Sequence, residues 1–502
     1  MNIVLASPSS EPRWVYVVAA LAAWFTIVNL AKSQRRKLSH IPSLTVDLPL
    51  LSYIGSLQYL LSARTLLQRG YDKYKGKAFK VPEFFRWHVF ISGKTLVEEL
   101  RKANDDELNF MEAMNEVLHM DYTFGNEAHN NPYHIPIIRT SLTRNLGVLY
   151  PEVRDELVTA SNELIPPSDD WTKVQAFPTI MKIVCRTSNR IFVGLPLCRN
   201  EEFLKINMGY TLEIVKAGLM VGAVPSFMRG LAAQMTSVAP MTKRSEDILR
   251  PIIEERVRSI DEHGGDWDDK PNDMISWLID AAPKGADLVP SVALRVLITN
   301  FAAIHTSTMT FSHVLYHLAA YPEYQSELRE EVDRVVARHG WTKDSLAKMI
   351  KTDSFIKEIA RFQGLGTTSL TRLAMKDFTF SDGTFIPKGT LVSATSRAAH
   401  FDEENYENAD IFDPWRFAKM EAADGTESLR NQIVNTHPEF LTFGLGKHAC
   451  PGRFFASTEL KSLLANFVYT YDMKMEQEGV VPPTTWEKAD LGVASVVVWV
   501  EC

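Results

Sequence analysis

Leu294 to Ala320 reads LRVLITNFAAIHTSTMTFSHVLYHLAA, a mostly apolar stretch held between Pro290 and Pro322. Strands rarely exceed about ten residues, so a run of this length is helix. A helix that is apolar nearly all round has to be enclosed, by protein or by lipid. Its polar residues are densest from His305 to Thr308, with Thr310 just beyond. Arg295, Asn300, His305 and that hydroxyl cluster would sit badly in lipid. The reading favoured is a buried central helix carrying a functional polar patch.

Composition narrows the classes. In 502 residues, 45% are hydrophobic and 23% charged, which is ordinary for a globular chain. The net charge is −7, and no basic stripe carries interleaved aromatics, so nucleic-acid binding has no electrostatic support. Four cysteines (Cys185, Cys198, Cys450 and Cys502) form no CxxC pair and show no metal-finger spacing. So few argue against a disulfide framework and for a body in a reducing compartment.

Trp14 to Ala31, WVYVVAALAAWFTIVNLA, contains no charge. At about 1.5 Å per residue it spans roughly 27 Å, enough for a bilayer core. Lys32, Arg35, Arg36 and Lys37 follow at once and place that side in the cytosol. A cleaved signal peptide is the alternative, but there the basic cluster precedes the apolar run. The expected layout is a lumenal 1–13, a transmembrane anchor at 14–31, a basic and proline-bearing linker at 32–45, and one globular body at 46–502.

The body reads as mainly α with a minor sheet. Tyr321-Pro322 opens an amphipathic helix, and Asp353 to Phe362 and Phe455 to Tyr471 read as two more. Residues 371–396 change to strand-like runs broken at Asp382-Gly383 and Pro387, as in hairpins. Val496 to Val500 also reads as strand.

Residues 443–452, FGLGKHACPG, set Cys450 among three glycines. Gly444, Gly446 and Gly452 permit positive φ or close approach of the backbone. A helix starting just after Cys450 would aim its first amides at the sulfur and lower the thiol pKa. A thiolate ligates soft metals or haem iron. The plain alternative is a glycine loop ahead of a helix with a buried cysteine.

Phe443-x-x-Gly446-x-x-x-Cys450-Pro451-Gly452 resembles the haem-binding loop of the cytochrome P-450 superfamily, with His448 where that loop usually has arginine. Glu358-Ile359-Ala360-Arg361 resembles the family's ExxR element, and Pro414-Trp415-Arg416-Phe417 its PxRF-like element. The resemblance implies that Glu358, Arg361 and Arg416 form a structural triad. His400, Asp402, Tyr406 and Phe412 fit the run between, with Ala409 where proline is usual; Pro322, Gln325, Leu328 and Glu331 match PxxQxxLxxE.

The family's oxygen motif on its long helix is matched by Ala302-Ala303-Ile304-His305-Thr306-Ser307. Thr306 falls on the oxygen-activating threonine and Ala303 where the helix passes close to haem. His305 departs from the usual acid; an imidazole can also relay protons, or it is simply a hydrogen-bonded core histidine. The region expected to carry Trp-x-x-x-Arg reads His134-Ile135-Pro136-Ile137-Ile138-Arg139, without tryptophan. There Arg139 keeps the propionate role, with His134 as a substitute donor, and His448 and Arg372 are further propionate partners. His305 together with Arg190 to Asn200 resembles a fungal subgroup that includes diterpene oxidases.

The resemblance implies haem b on the Cys450 thiolate and insertion of one oxygen from O2 into a C–H bond of a lipophilic substrate, with a terpenoid of secondary metabolism as the best guess. It further implies an endoplasmic-reticulum location, and electrons from an NADPH-dependent reductase, with cytochrome b5 as a second donor. Lys447, Arg453 and Lys461 are candidates for a basic docking face. Residues 107–135, 212–230, Asn300 to Thr306 and Gly364 to Leu370 are candidate pocket walls. Gly218 to Gly230 is apolar enough to dip into a membrane and form a substrate route. Two other readings stand beside this one: a reductase-independent haem-thiolate isomerase or dehydratase, and a non-catalytic membrane haem protein.

Overall fold

Strand-forming runs gather near the start of the body, at 368–395 and toward the end, with short strands at 108–109 and 172–175; helix makes up most of the rest. The computed structural model describes residues 37–48, 51–83, 86–265, 267–423, 431–482 and 497–501, together with Tyr16. The expected anchor at 14–31, apart from Tyr16, lies outside the described residues. The chain divides into two units, Met1–Asn109 with Leu373–Thr395, and Phe110–Arg372 with Ser396–Cys502.

The first unit is built on a sheet. Strand β1 (Ala78–Pro82) pairs antiparallel with β2 (Trp87–Ile91), Phe79 opposite Phe90. Strand β8 (Leu391–Thr395) joins β2 in parallel, Val89 opposite Val392. Strand β3 (Leu108–Asn109) closes the other edge against the end of β5 (Thr368–Ala374). Every residue of β1, β2 and β8 is buried, so these strands read as continuous runs rather than alternation. Helix α1 (Ser52–Lys73) lays Leu66 and Leu67 on Phe79, Val81 and Phe90, and helix α2 (Lys94–Lys102) follows β2. The expected hairpin forms from β6 (Phe378–Thr379) and β7 (Phe385–Ile386), with Gly383 at φ +86° and the Asp382 carboxylate accepting from the Thr384 amide.

Lys80 is fully buried in β1. Its Nζ donates to the Leu38 carbonyl at 2.7 Å and pairs with Asp47 at 2.9 Å. Its backbone N–H donates to Pro42 O, and its carbonyl accepts from Leu44 N–H, a short parallel bridge. A buried cation with a carboxylate and a carbonyl is compensated on all sides.

The second unit is helical. Its principal helices are α3 (Thr143–Leu164), α4 (Ala176–Phe192), α5 (Glu201–Gly222), α6 (Val238–His263), α7 (Leu288–Ala320), α8 (Pro322–His339), α9 (Ile350–Phe362) and α10 (Arg453–Thr470). Helix α7 is the expected central helix. It starts earlier than the proline predicted, because Pro290 sits in its first turn, where no N–H is required. It is the one helix among the described residues long and apolar enough to cross a membrane, yet most of it is buried in protein.

The carboxyl half of α7 (Phe311, Val314, Leu318) packs with α8, α9 and α10 in one core. Its amino half (Val292, Val296) packs with α3 and α6 in another. Strand β10 (Val497–Glu501) lies between β4 (Thr172–Gln175) and β9 (Asp472–Lys474), as the terminal strand reading anticipates.

Candidate active site

The cysteine loop closes on itself through its backbone. Cys450 N–H donates to Phe443 O at 2.8 Å, Gly444 N–H to Leu441 O, and Ala449 N–H to Gly446 O. Gly444 and Gly446 lie at φ +68° and +74°, where a side chain is strained. Gly452 differs. Its φ is −90°, and an added Cβ would meet Ile138 only at ordinary contact distance. Its contribution is its N–H, which together with that of Arg453 faces the Cys450 sulfur at the start of α10. The expected lowering of the thiol does not prevail in the protein alone. Burial pushes it up, and the two amides and the Arg453 guanidinium only partly offset that.

Basic and imidazole groups gather at this loop. Arg139 Nη2 donates to Lys447 O at 3.0 Å. The His448 ring stacks on Phe110 at 5.1 Å, and the Arg372 guanidinium lies 5.4 Å from the centre of the same ring. Phe110 thus organises two expected cofactor contacts, and no sequence motif marks it. His134 is buried with no hydrogen bond to Nδ1, and burial with the nearby Arg295 charge depresses its pKa to about 4. Lys461, expected on a docking face, is buried and paired with Asp353 at 2.5 Å. It belongs to the core, since α10 is enclosed nearly all round. Lys447 is exposed, and Arg453 braces the loop by donating to Cys450 O and Val434 O.

Helix α7 has one open face in its middle. Ala302 and Thr306, one turn apart, are exposed, whereas Ile304, Ser307 and Thr308 are buried. Thr306 Oγ1 donates to Ala302 O at 2.7 Å. Ala303 packs against the cluster that contains Ile138 and Phe455, one residue from Arg139 and five beyond Cys450 respectively. The small residue and the cysteine loop's helix therefore adjoin one core. His305 Nε2 lies 2.9 Å from the Met208 carbonyl of α5. A carbonyl only accepts, so Nε2 carries the proton. Of the expected walls, Met111, Phe124 and Ala128, Ile214 and Ala217, and Phe301 share one apolar cluster, which Leu297 joins from the preceding turn of α7.

Glu459 escaped the sequence reading. It is fully buried on α10; Ser188 Oγ of α4 donates to it at 2.6 Å, and the Ser307 hydroxyl of α7 is its other polar neighbour. Burial pushes this carboxyl up to about 7, against the pull of the two hydroxyls. The Asn189 and Asn300 amides bond reciprocally beside it at 2.8 and 3.1 Å, joining α4 to α7.

The expected triad forms completely. Glu358 accepts from Arg361 Nη2 at 2.7 Å and Nε at 2.8 Å, and from Arg416 Nε at 3.2 Å. Arg361 reaches on to the His400 and Ala409 carbonyls, and Arg416 to Asn408 O and Ile411 O. His400 carries the connection further. Its Nδ1 bonds Arg361 O at 3.2 Å, and its Nε2 accepts from Leu441 N–H at 3.0 Å, at the foot of the cysteine loop. An accepting Nε2 requires a neutral ring, and burial pushes His400 down to about 3.

These histidines give a pH prediction. His400, His134, His313 and His317 are held neutral in the fold, at about 3 for the first and about 4 for the others, against an ordinary 6.5. The unfolded chain binds those protons first, so stability is lost as pH falls from about 6.5 toward 4. Each histidine contributes up to about 1.4 kcal/mol per pH unit there. Glu459 acts oppositely: its raised carboxyl stabilises at low pH and loses that as pH rises from 4.5 toward about 7. Four groups outweigh one. Thermal midpoints at two pH values about two units apart in this window check it: the midpoint should be higher at the higher pH, and the reverse order would refute the assignment.

A cysteine loop braced by arginines and an exposed threonine on the central helix suit the haem-thiolate class of oxidoreductases. The chain belongs to the cytochrome P-450 family, whose sequence model matches residues 48–496. It is 44% identical over 476 residues to cytochrome P-450 monooxygenase 151 of Postia placenta, covering 94% of this chain and 95% of that protein. It is 41% identical to monooxygenase 110 of the same fungus, over 97% and 98%. It is 32% identical to cytochrome P-450 monooxygenase paxQ of Penicillium paxilli, over 84% and 83%. The protein is therefore an oxidoreductase that incorporates oxygen, and its family carries a haem on a cysteine thiolate. The open Ala302–Thr306 face and the amides at Cys450 fit such a group.

Proposed function

We propose that this protein inserts one oxygen atom from O2 into a C–H bond of a terpenoid in fungal secondary metabolism, at the endoplasmic-reticulum membrane. The observation that carries oxygen insertion is Thr306, whose hydroxyl stands on the one open face of α7. Cys450 would hold haem b, iron protoporphyrin IX, through its sulfur. Arg139, Arg372 and His448 would hold its propionates, Phe443, Gly446 and Gly452 would shape the loop that receives it, and the small Ala303 would leave room for it beside α7. When bound, haem supplies the oxygen-activating chemistry. Thr306, whose hydroxyl rests on the Ala302 carbonyl, would turn that hydroxyl toward O2 and pass it a proton, and apolar walls would exclude water and orient the substrate.

The apolar cluster that the wall segments share suits a terpenoid skeleton. Leu212, Val215, Leu219, Phe227, Leu231 and Met235 expose large apolar side chains, Phe227 to 84%, on α5 and just after it. Together with the apolar sequence at 14–31 they support a lipid-facing side and a substrate route from the membrane. Electrons come from NADPH-cytochrome P-450 reductase, with cytochrome b5 as a second donor, docking near Lys447.

The test is turnover in microsomes with reductase and NADPH, screening terpenoids for a mass gain of one oxygen. Product that needs both is the expected result. Conversion without either would favour the isomerase reading, and binding without conversion across the panel the non-catalytic one. Thr306→Ala should lower product per NADPH consumed by about 100-fold, the low end for a positioned proton donor, with hydrogen peroxide rising in its place. An unchanged ratio would remove Thr306 from the oxygen site.

A further inference from the structure

Helices α5 and α7 meet along an apolar seam. Leu204 and Met208 share a cluster with Ile304, and Tyr210, Ile214 and Ala217 share another with Leu297 and Phe301. Packing along such a seam resists separation and restricts sliding, but supplies no directional contact of its own. Among the described residues one hydrogen bond crosses it, from His305 Nε2 to Met208 O at 2.9 Å. A hydrogen bond is directional, so this one sets a register that the seam alone does not.

The residue type suits that task better than the acid usual at this place. A carboxylate offers a carbonyl no proton, whereas a neutral imidazole donates one. Burial keeps the ring below its ordinary pKa, with the bond to Met208 partly opposing this. His305 also immediately precedes Thr306, and α5 continues from Met208 into the exposed apolar residues at Leu212, Val215 and Leu219.

We infer that His305 is a positioning residue, whose bond to Met208 sets the register of α5 on α7 and so the placement of the Thr306 hydroxyl. Substrate that presses on the walls contributed by α5 is thereby felt at the oxygen face. The inference rests on the role of Thr306 proposed above. It differs from proton relay, which needs a titratable group at 305 rather than a donor to Met208.

Four full-length proteins in lipid nanodiscs separate the two: wild type, His305→Gln, His305→Asp and His305→Leu. Glutamine can donate to Met208 O but cannot titrate; aspartate can titrate but cannot donate when ionised. Hydrogen exchange of the α5 amides around Met208 should be roughly two- to tenfold faster in the Leu and Asp variants, the range one net hydrogen bond is worth. The Gln variant should exchange as wild type does. With reductase, product per NADPH should fall in the Leu and Asp variants and stay within about twofold of wild type in Gln, since only the donor is needed. Equal exchange in all four would overturn the inference. So would Asp restoring product per NADPH while Gln does not, the pattern of a relay. Should wild type lack a thiolate-type carbon monoxide spectrum, the monooxygenase reading fails, and the exchange pattern still decides the α5–α7 link. Should the Leu variant not fold, the Gln and Asp pair decides it.

Discussion

Cys450→Ser should lose the red-shifted Soret band that reduced, carbon-monoxide-bound wild type is expected to show, while keeping its fold. The exchange alters one atom. The loop's own bonds are backbone bonds, Cys450 N–H to Phe443 O and Ala449 N–H to Gly446 O, and survive it. Gly444 and Gly446 keep their left-handed conformations, and the Gly452 and Arg453 amides still face the side chain. A serine hydroxyl, however, does not ionise as a thiol does near neutral pH, and it is not a soft ligand. Loss of the band should be complete, and turnover should go with it. Circular dichroism should be unchanged, and only the cofactor's own contribution to the thermal midpoint should be lost. A thiolate-type band persisting in the variant would assign the ligand to another cysteine. Cys185 and Cys198 are poor candidates. Both are fully buried, and burial raises both thiols, Cys198 to about 11.

Glu358→Ala should be the most destabilising single change in the second unit. Two guanidinium groups lose the carboxylate they share, and Arg361 has no exposure to water at all. Removing one member of a buried ion pair costs about 3–5 kcal/mol, because the partner charge is left uncompensated. The loss does not stay local. Arg361 holds the His400 and Ala409 carbonyls, and His400 in turn accepts from Leu441 at the foot of the cysteine loop. The variant should therefore release haem on gel filtration at temperatures where wild type retains it. Glu358→Gln keeps the shape and part of the hydrogen bonding, and should fall between. Arg361→Lys should resemble the alanine variant, since an ammonium cannot span Glu358 and the two carbonyls together. A haem-loss midpoint within about 1 kcal/mol of wild type for Glu358→Ala would show that the triad is not what holds the loop.

What could be read from the sequence was whatever local pattern encodes. Glycines flanking a cysteine predict left-handed turns because only glycine adopts them without strain, and two of the three do so here. Glu358 and Arg361 lie three apart on one helix face, so their meeting needed only a helix. Partners far along the chain were not legible. Met208 is 97 residues from His305, and a carbonyl leaves no mark in the sequence. Phe110 was one aromatic among many until the fold set His448 and Arg372 on its ring. Lys461 was misread because lysine is assumed to be solvated. That assumption fails on a helix enclosed nearly all round, where Asp353 compensates the charge. Glu459 fails the same assumption, with hydroxyls in place of a cation.

Lys80 has a mechanical consequence. Tension arriving along the chain from residues before Leu38 is not passed link by link into the body. It meets β1 at one residue, through Nζ to Leu38 O and Asp47 and through the backbone to Pro42 and Leu44. The Pro42 and Leu44 bonds belong to a parallel bridge at Lys80, so backbone and side-chain bonds of one residue carry the load together. The sheet, buried at β1 and β2, then bears the force. Lys80→Met would keep the bulk and remove the ammonium, and the chain before residue 48 should then peel away under a pulling force that wild type withstands.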